Sequence, residues 1–164
     1  MNLFDATGII LIAVDDKFTL DDPDGIEVQR DSIHRQFLIK YYTAESGHKS
    51  AIDNAVAERD GSSEVTITIG DKSFVLFAYT TQGNRTDYNT NIEYRRGLIE
   101  IEGSLKKALV YCKVRFPGET VHTALIGTGV QNDRTDGLAY SERDAENRII
   151  NLSKSVGVSV EIIM

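Results

Sequence analysis

A glycine-containing loop is the part of this sequence best suited to bind an anion. The apolar residues 124–126 lead directly into Gly127, Thr128, Gly129 and Val130. Glycine permits positive φ and has no Cβ, so the backbone N–H groups of such a loop can approach a phosphate closely. The same pattern also occurs where a strand simply ends in a sharp turn, and the spacing alone does not distinguish the two hypotheses.

Polar residues that could orient a ligand follow three apolar segments. They are Asp15 after residues 9–14, Tyr79, Thr80 and Thr81 at the end of a second run, and Gln131 and Arg134 beyond the glycine loop. Carboxylates suit ribose hydroxyl or base amino groups, side-chain hydroxyls and amides suit orientation, and backbone N–H groups suit phosphates. Together these groups favour a nucleotide ligand.

Composition indicates a single globular domain, predicted to span residues 1–164. Apolar residues make up 41% and charged residues 26% of the 164, which is typical of a folded chain with a sizeable core. The net charge of −7 argues against a nucleic-acid partner, which would require a basic surface. A small anionic ligand remains compatible with this charge, because backbone amides and helix N-termini act over only a few ångströms.

The single cysteine, Cys112, excludes an internal disulfide and a multi-cysteine metal cluster. We expect Cys112 to be a small core residue, and we expect neither a metal ion nor a cofactor. The cytoplasm is the simplest compartment for such a chain. The apolar run at residues 9–14 is too short to cross a bilayer, although the chain could be the soluble part of a longer membrane-anchored protein.

Apolar runs alternate with amphipathic segments, which predicts a layered α/β domain. Strands are predicted at residues 9–14, 64–69, 73–79, 121–126 and 158–163. Helices are predicted at about 32–42, from a cap at Ser50 to about 60, from Thr90 to about 115, and from Ser141 to the C-terminal glycine Gly157. Helices should therefore cover both faces of a mixed sheet, in three α/β/α layers.

Two glycines, Gly97 and Gly103, fall inside the third predicted helix. Each costs about 1 kcal/mol relative to alanine in a helix interior. We therefore expect the helix to pack closely on the sheet at both positions.

The order of four segments resembles a known family. They are residues 9–14, 31–38 (DSIHRQFL), 75–80 (VLFAYT) and 124–130 (ALIGTGV). This order is similar to the divergent macro domain of the ThsA effector proteins of Thoeris anti-phage systems. The resemblance covers nearly the whole chain, and its specificity lies in the order and spacing of short motifs.

The resemblance implies a macro-domain-like fold that binds ADP-ribose or a derivative of it. In this branch the ligand would be a signal made by a TIR-domain protein, for example histidine-ADP-ribose. Carried over by position, Gly127, Thr128, Gly129 and Val130 would form the diphosphate loop. Ser32, Ile33 and His34 would face that loop from a helix N-terminus, Tyr79, Thr80 and Thr81 would line the pocket, and Asp15 would stand beside the ligand.

This sequence departs from ordinary macro domains in lacking their Asn-Ala-Ala-Asn stretch and their glycine-rich segment before the first helix. Those elements are associated with ADP-ribosyl hydrolysis, so a binding module without catalytic residues is favoured. The alternatives are a hydrolase of ADP-ribose derivatives, with Asp15 or Asp133 orienting water, and a protein-interaction module whose glycine loop is only structural. Homo-oligomerisation is left open.

His34 has two interpretations. It falls in the first turn of a predicted helix, where its imidazole could hydrogen-bond a ligand, but a solvent-facing or capping histidine is more common at such a position. His48 and His122 have no paired Cys, His or carboxylate at metal-ligand spacing.

Overall fold

The computed structural model describes residues 2–21, 32–80, 98–126 and 141–164. The strands within these ranges are β1 (Gly8–Asp15), β2 (Glu64–Ile69), β3 (Lys72–Thr80), β4 (Val121–Thr123) and β5 (Val160–Ile162). The helices are α1 (Ile33–Tyr41), α2 (Lys49–Ala57), α3 (Leu98–Arg115) and α4 (Glu142–Val156), preceded by a single 3₁₀ turn (Leu3–Asp5). None of the helices described there is long and apolar enough to cross a membrane.

The five described strands form one mixed sheet in the order β2-β3-β1-β4-β5. β1 runs parallel to both β3 and β4, and β5 runs parallel to β4. Only β2 is antiparallel, because the two-residue connection Gly70-Asp71 folds it back on β3, with Gly70 at φ 60°. The predicted mixed sheet and hairpin are therefore confirmed. β1 lies at the centre, as expected of a strand that is apolar on both faces.

Side chains on the two faces of the sheet build two separate cores. On one face, Ile10, Ile12 and Val14 of β1 pack with residues of α1 and α2. On the other face, Ile9 and Leu11 pack with residues of α3 and α4. The arrangement is the three-layer α/β/α fold predicted from the alternation of segments.

Serine caps fix the start of two helices as predicted. The Ser32 side chain accepts a hydrogen bond from the backbone N–H of Arg35, and that of Ser141 accepts one from Asp144. Gly157 ends α4 in a left-handed conformation at φ 82°. The predicted cap at Ser50 is wrong: the N-cap is His48, two residues earlier, and it makes no side-chain cap hydrogen bond.

The last two strands are shorter than the apolar runs that predicted them. β4 ends at Thr123 instead of residue 126, and β5 covers three residues instead of six. Residues 124–126 are apolar and only half-buried, and they lie beyond the end of β4, so an apolar run does not fix the length of a strand. β4 pairs with β1 only opposite Ile9, Ile10 and Leu11.

The expected close packing at Gly103 is also wrong. Gly103 is exposed, and a Cβ added there would lie within 4 Å of no atom beyond its own helix backbone. The predicted helix start at Thr90, together with Gly97, lies outside the described residues. The 3₁₀ turn was not predicted, although the side chains of Asn2 and Asp5 form a capping box that the sequence displays.

Candidate functional site

Asp15 is the last residue of the central strand β1, at the edge where ligands bind in open α/β sheets. The β1–β3 ladder is irregular at this end: Val14 is in register with Ala78, but Asp15 is in register with Thr80. Tyr79 is therefore an extra residue on β3 at this point. Such irregularities re-aim a side chain at the end of a strand. Strand alternation would place Asp15 on the face of α3 and α4, yet its carboxylate lies beside His34 of α1.

One carboxylate oxygen of Asp15 holds the loop that follows β1. Its Oδ1 accepts hydrogen bonds from the backbone N–H groups of Lys17, at 2.8 Å, and Thr19, at 3.2 Å. The backbone N–H of Phe18 bonds to the Asp15 carbonyl at 3.1 Å. The loop is thus wrapped around the aspartate, a use of Asp that is common in turns.

Phe18, between those two donors, has a left-handed backbone at φ 51°. For a non-glycine residue this conformation costs about 1–2 kcal/mol. The Phe18 ring is buried in the core beneath α1 and α2, and the Arg59 guanidinium lies 4.4 Å from the ring centroid. Burial of the ring offsets the backbone cost.

The second carboxylate oxygen of Asp15 is buried and has no hydrogen-bond partner among the described residues. Asp15 is only 4% exposed, and its Oδ2 lies 4.0 Å from Nδ1 of His34. A buried polar atom without a partner costs about 1–3 kcal/mol, so such atoms need an explanation. A ligand that donates a hydrogen bond would satisfy this one.

His34 lies in the first turn of α1, directly after the Ser32 cap. Its Nε2 is 2.8 Å from the Thr19 carbonyl oxygen. Because a carbonyl can only accept, Nε2 must carry the proton and donate. His34 is 5% exposed, so the solvent-facing alternative is wrong. The loop after β1 and the N-terminus of α1 are thereby joined through Thr19, with Nδ1 of the imidazole facing Asp15.

The other predicted site residues on described segments are placed in different ways. Ser32 and Ile33 form the N-terminal end of α1, beside His34. Thr80 is next to Asp15 in the sheet by register. Tyr79 is buried in the core of α3 and α4, where its ring packs edge-on against Phe77 with centroids 6.1 Å apart. Its role in ligand binding stays a prediction.

The remaining predicted site residues lie outside the described residues. They are Thr81, Gly127, Thr128, Gly129, Val130, Gln131 and Arg134, together with Asp133 of the hydrolase alternative. The diphosphate loop therefore stays a prediction from the sequence.

Two residues that the sequence did not single out complete the described part of the site. Thr19 links Asp15 to His34 through its backbone, and Arg59 covers Phe18 from the end of α2. Any residue type can make the backbone contacts of Thr19, so the sequence does not indicate them. The contact between Phe18 and Arg59 joins residues 41 positions apart, which local sequence patterns do not detect. Neither role had a signal in the sequence.

Other titratable groups have structural roles. Cys112 is buried on α3 as expected, and burial, with the nearby Glu64 charge, raises the pKa of its thiol to about 12. A thiol with that pKa is not a nucleophile at neutral pH. His122 contacts the Ile9 carbonyl through Nδ1 at 3.0 Å and Glu161 through Nε2 at 3.4 Å, toward the opposite end of β1 from Asp15.

The three α/β/α layers around a mixed sheet define a macro-domain-like fold. The structure is similar to the macrodomain of Mycobacterium tuberculosis DarG, with a TM-score of 0.60 and 15% sequence identity over 99% of this chain and 92% of that one. It is also similar to a protein from Bacteroides thetaiotaomicron, with a TM-score of 0.51 and 10% identity over 95% of this chain and 88% of that one. No protein-family profile and no curated protein sequence matches the chain. At these identities the likeness establishes the fold.

Proposed function

We propose that this protein binds an ADP-ribose-type nucleotide at the C-terminal end of β1. The observation that carries the proposal is the buried Oδ2 of Asp15, which has no partner in the described part of the chain. A carboxylate oxygen accepts hydrogen bonds, so Oδ2 would favour a ligand group that donates, such as a ribose hydroxyl or an adenine amino group. The macro-domain-like fold supports a nucleotide over other ligands with hydroxyl groups.

The same carboxylate determines where the phosphates would lie. Two like charges 4 Å apart repel by about 4 kcal/mol at the effective dielectric constant typical near a protein surface. The diphosphate therefore belongs away from Asp15. The first turn of α1, with the N–H groups of Ile33 and His34, and the glycine loop at 127–130 are the parts of the proposed site that attract anions.

Calorimetric titration with ADP-ribose tests the proposal through Asp15→Asn. This substitution keeps an oxygen for the Lys17 and Thr19 donors but removes the charge and turns one acceptor into a donor. We expect the affinity to fall at least about tenfold, because hydrogen bonds to charged groups are worth about 1.5–3 kcal/mol. Asp53→Asn, which removes an equal charge from the exposed face of α2, is the matched control and should bind normally. Equal affinity in both variants would remove Asp15 from the site.

The sequence resemblance supports a narrower proposal about the ligand and its source. The protein would sense an ADP-ribose-derived signal, such as histidine-ADP-ribose, made by a TIR-domain protein during anti-phage defence. Titrations with ADP-ribose and histidine-ADP-ribose side by side would compare the two ligands. Tighter binding of the conjugate supports this role, whereas a preference for ADP-ribose alone contradicts it.

We favour a sensor over a hydrolase, because the sequence lacks the elements associated with ADP-ribosyl hydrolysis. A sensor must bind its ligand with different affinity in two states, so ligand binding should alter the association or dynamics of the protein. The contact of Asp15 with His34 is the observation that keeps the hydrolase alternative, since a carboxylate and an imidazole can orient and deprotonate water. Product analysis after long incubation distinguishes them: intact ligand supports the sensor, and turnover that Asp15→Asn abolishes supports the hydrolase.

A further inference from the structure

We propose that Arg59 is a positioning residue for the Asp15–His34 pair, acting through the ring of Phe18. The inference rests on the proposed function for its consequence in ligand binding. Arg59 follows α2, and neither the sequence motifs nor the resemblance includes it. It belongs to the face of α1 and α2, on which the Asp15 carboxylate also lies.

Two contacts hold the Arg59 guanidinium in place. Its centre lies 4.4 Å from the centroid of the Phe18 ring, and its Nη1 donates a hydrogen bond to the Ser62 carbonyl at 3.0 Å. The planar guanidinium stacks on an aromatic face in a way that an ammonium group does not reproduce. The turn after α2 therefore holds the Phe18 ring against the core.

The conformation of Phe18 determines the positions of both donors to Asp15. Lys17 and Thr19, which flank Phe18, donate their backbone N–H groups to Oδ1, and the left-handed backbone at φ 51° points them toward one oxygen. That conformation is unfavourable for phenylalanine, so it depends on the packing of the ring. If the ring were released, the two donors would separate.

The same loop also controls His34. The carbonyl of Thr19 accepts the hydrogen bond from Nε2, which fixes the tautomer and the orientation of the imidazole. A shift of the loop at Phe18 therefore moves the partners of both Asp15 and His34 together. Arg59 reaches neither of these side chains directly, so it would act on a ligand only through the loop.

A cation in the first turn of α2 provides a matched control. The Lys49 ammonium lies 5.0 Å from the centroid of the Tyr42 ring, at the opposite end of the same helix. Tyr42 precedes α2 and is not part of the loop after β1. Lys49→Leu should therefore remove a cation–π contact of similar type without moving the site.

The test compares Arg59→Leu, Arg59→Lys and Lys49→Leu by calorimetry with ADP-ribose and by NMR of the ligand-free proteins. We expect Arg59→Leu to weaken binding roughly three- to tenfold, the range implied by partly buried cation–π contacts. Arg59→Lys should restore part of the affinity, and Lys49→Leu should bind like the wild type. In the ligand-free protein, only the Arg59 variants should shift the His34 ring resonances and speed amide hydrogen exchange at Thr19.

The ligand-free measurements separate this inference from the proposed function. If the wild type does not bind ADP-ribose, the proposed function fails, while the His34 resonances still report whether Arg59 positions the pair. Unchanged His34 resonances and Thr19 exchange in Arg59→Leu would overturn the inference. Equal losses of affinity in Arg59→Leu and Lys49→Leu would also overturn it, because the effect would then be one of general stability. If Arg59→Leu fails to fold, the same measurements on Arg59→Lys test the inference: unchanged His34 resonances and Thr19 exchange in that variant would overturn it.

Discussion

At the scale of single residues, the two oxygens of Asp15 have different tasks. Oδ1 organises the loop after β1, and Oδ2 is directed at His34 without a hydrogen bond from any described residue. The carbonyl oxygen of an asparagine could also accept both N–H groups, although more weakly than a carboxylate. The presence of a full carboxylate is thus better explained by what Oδ2 does than by the turn, which points to a group that donates to it.

A second buried carboxylate, Glu64, gives a prediction about stability. Glu64 begins β2 and is 8% exposed; burial raises the pKa of its carboxyl above the usual 4.5, and the charge of Lys107 lowers it by less. The folded state thus favours the neutral form. Because the pKa of Glu64 is raised on folding, this carboxyl stabilises the folded state below pH 4.5. The stabilisation is lost as the pH rises through the raised pKa.

We therefore expect Glu64→Gln, which mimics the neutral form, to be more stable than the wild type at neutral pH. The advantage should shrink as the pH falls toward the usual carboxyl value. Urea denaturation midpoints measured across this pH range provide the check. Glu45→Gln, at an exposed position, should show no such trend. A Glu64→Gln variant that is less stable at neutral pH would mean that the attraction to Lys107 outweighs the burial cost.

At the scale of elements, the sequence predicted what local chemistry controls. The Ser32 and Ser141 caps, the Gly157 terminator and the Gly70-Asp71 hairpin each depend on a few adjacent residues, and all four are present. The lengths of β4 and β5 depend on partners distant in sequence, and both were overestimated.

In the candidate site too, features that depend on adjacent residues could be predicted from the sequence, and features that depend on tertiary contacts could not. The positions of Asp15 at a strand end and of Ser32 at a helix cap could be predicted because both have local sequence patterns, whereas their part in ligand binding stays a prediction. The burial of His34 depends on the Thr19 backbone, and the contact between Phe18 and Arg59 depends on tertiary packing. Gly103 gave a wrong prediction, because the unfavourable helix propensity of glycine suggested close packing on the sheet, and the structure has no such packing at this exposed residue.

The two serine caps allow a paired test of α1 as part of the site. Ser32→Ala and Ser141→Ala each remove a side-chain acceptor at a helix N-terminus, so each should lower the free energy of unfolding by about 1 kcal/mol. Only Ser32→Ala loosens the turn that carries His34, and we expect only this variant to bind ADP-ribose more weakly. Chemical denaturation and calorimetry on the same samples measure both effects. Equal affinities in the two variants would contradict a role for the α1 N-terminus.

At the scale of the whole molecule, the net charge and the local site act in opposite directions on an anionic ligand. The chain carries 25 acidic and 18 basic residues, giving a net charge of −7, and its long-range field repels a diphosphate. In the proposed site, the N–H groups of α1 and of the predicted glycine loop would attract the same group only at short range. Salt screens the first effect far more than the second, because the Debye length falls from about 30 Å at 0.01 M to about 8 Å at 0.15 M ionic strength.

We therefore expect the association rate of ADP-ribose to rise as salt is added over this range, with little change in the dissociation rate. Stopped-flow measurement with a fluorescent ADP-ribose analogue would follow both rates. Adenosine carries no charge and should show no salt dependence, which makes it the control ligand. Proteins that bind anions through a basic surface behave in the opposite way, because their affinity falls steeply with salt as counterions return. An association rate for ADP-ribose that falls with salt would show that a local cluster of basic side chains, and not backbone donors in an acidic molecule, dominates the approach of the ligand.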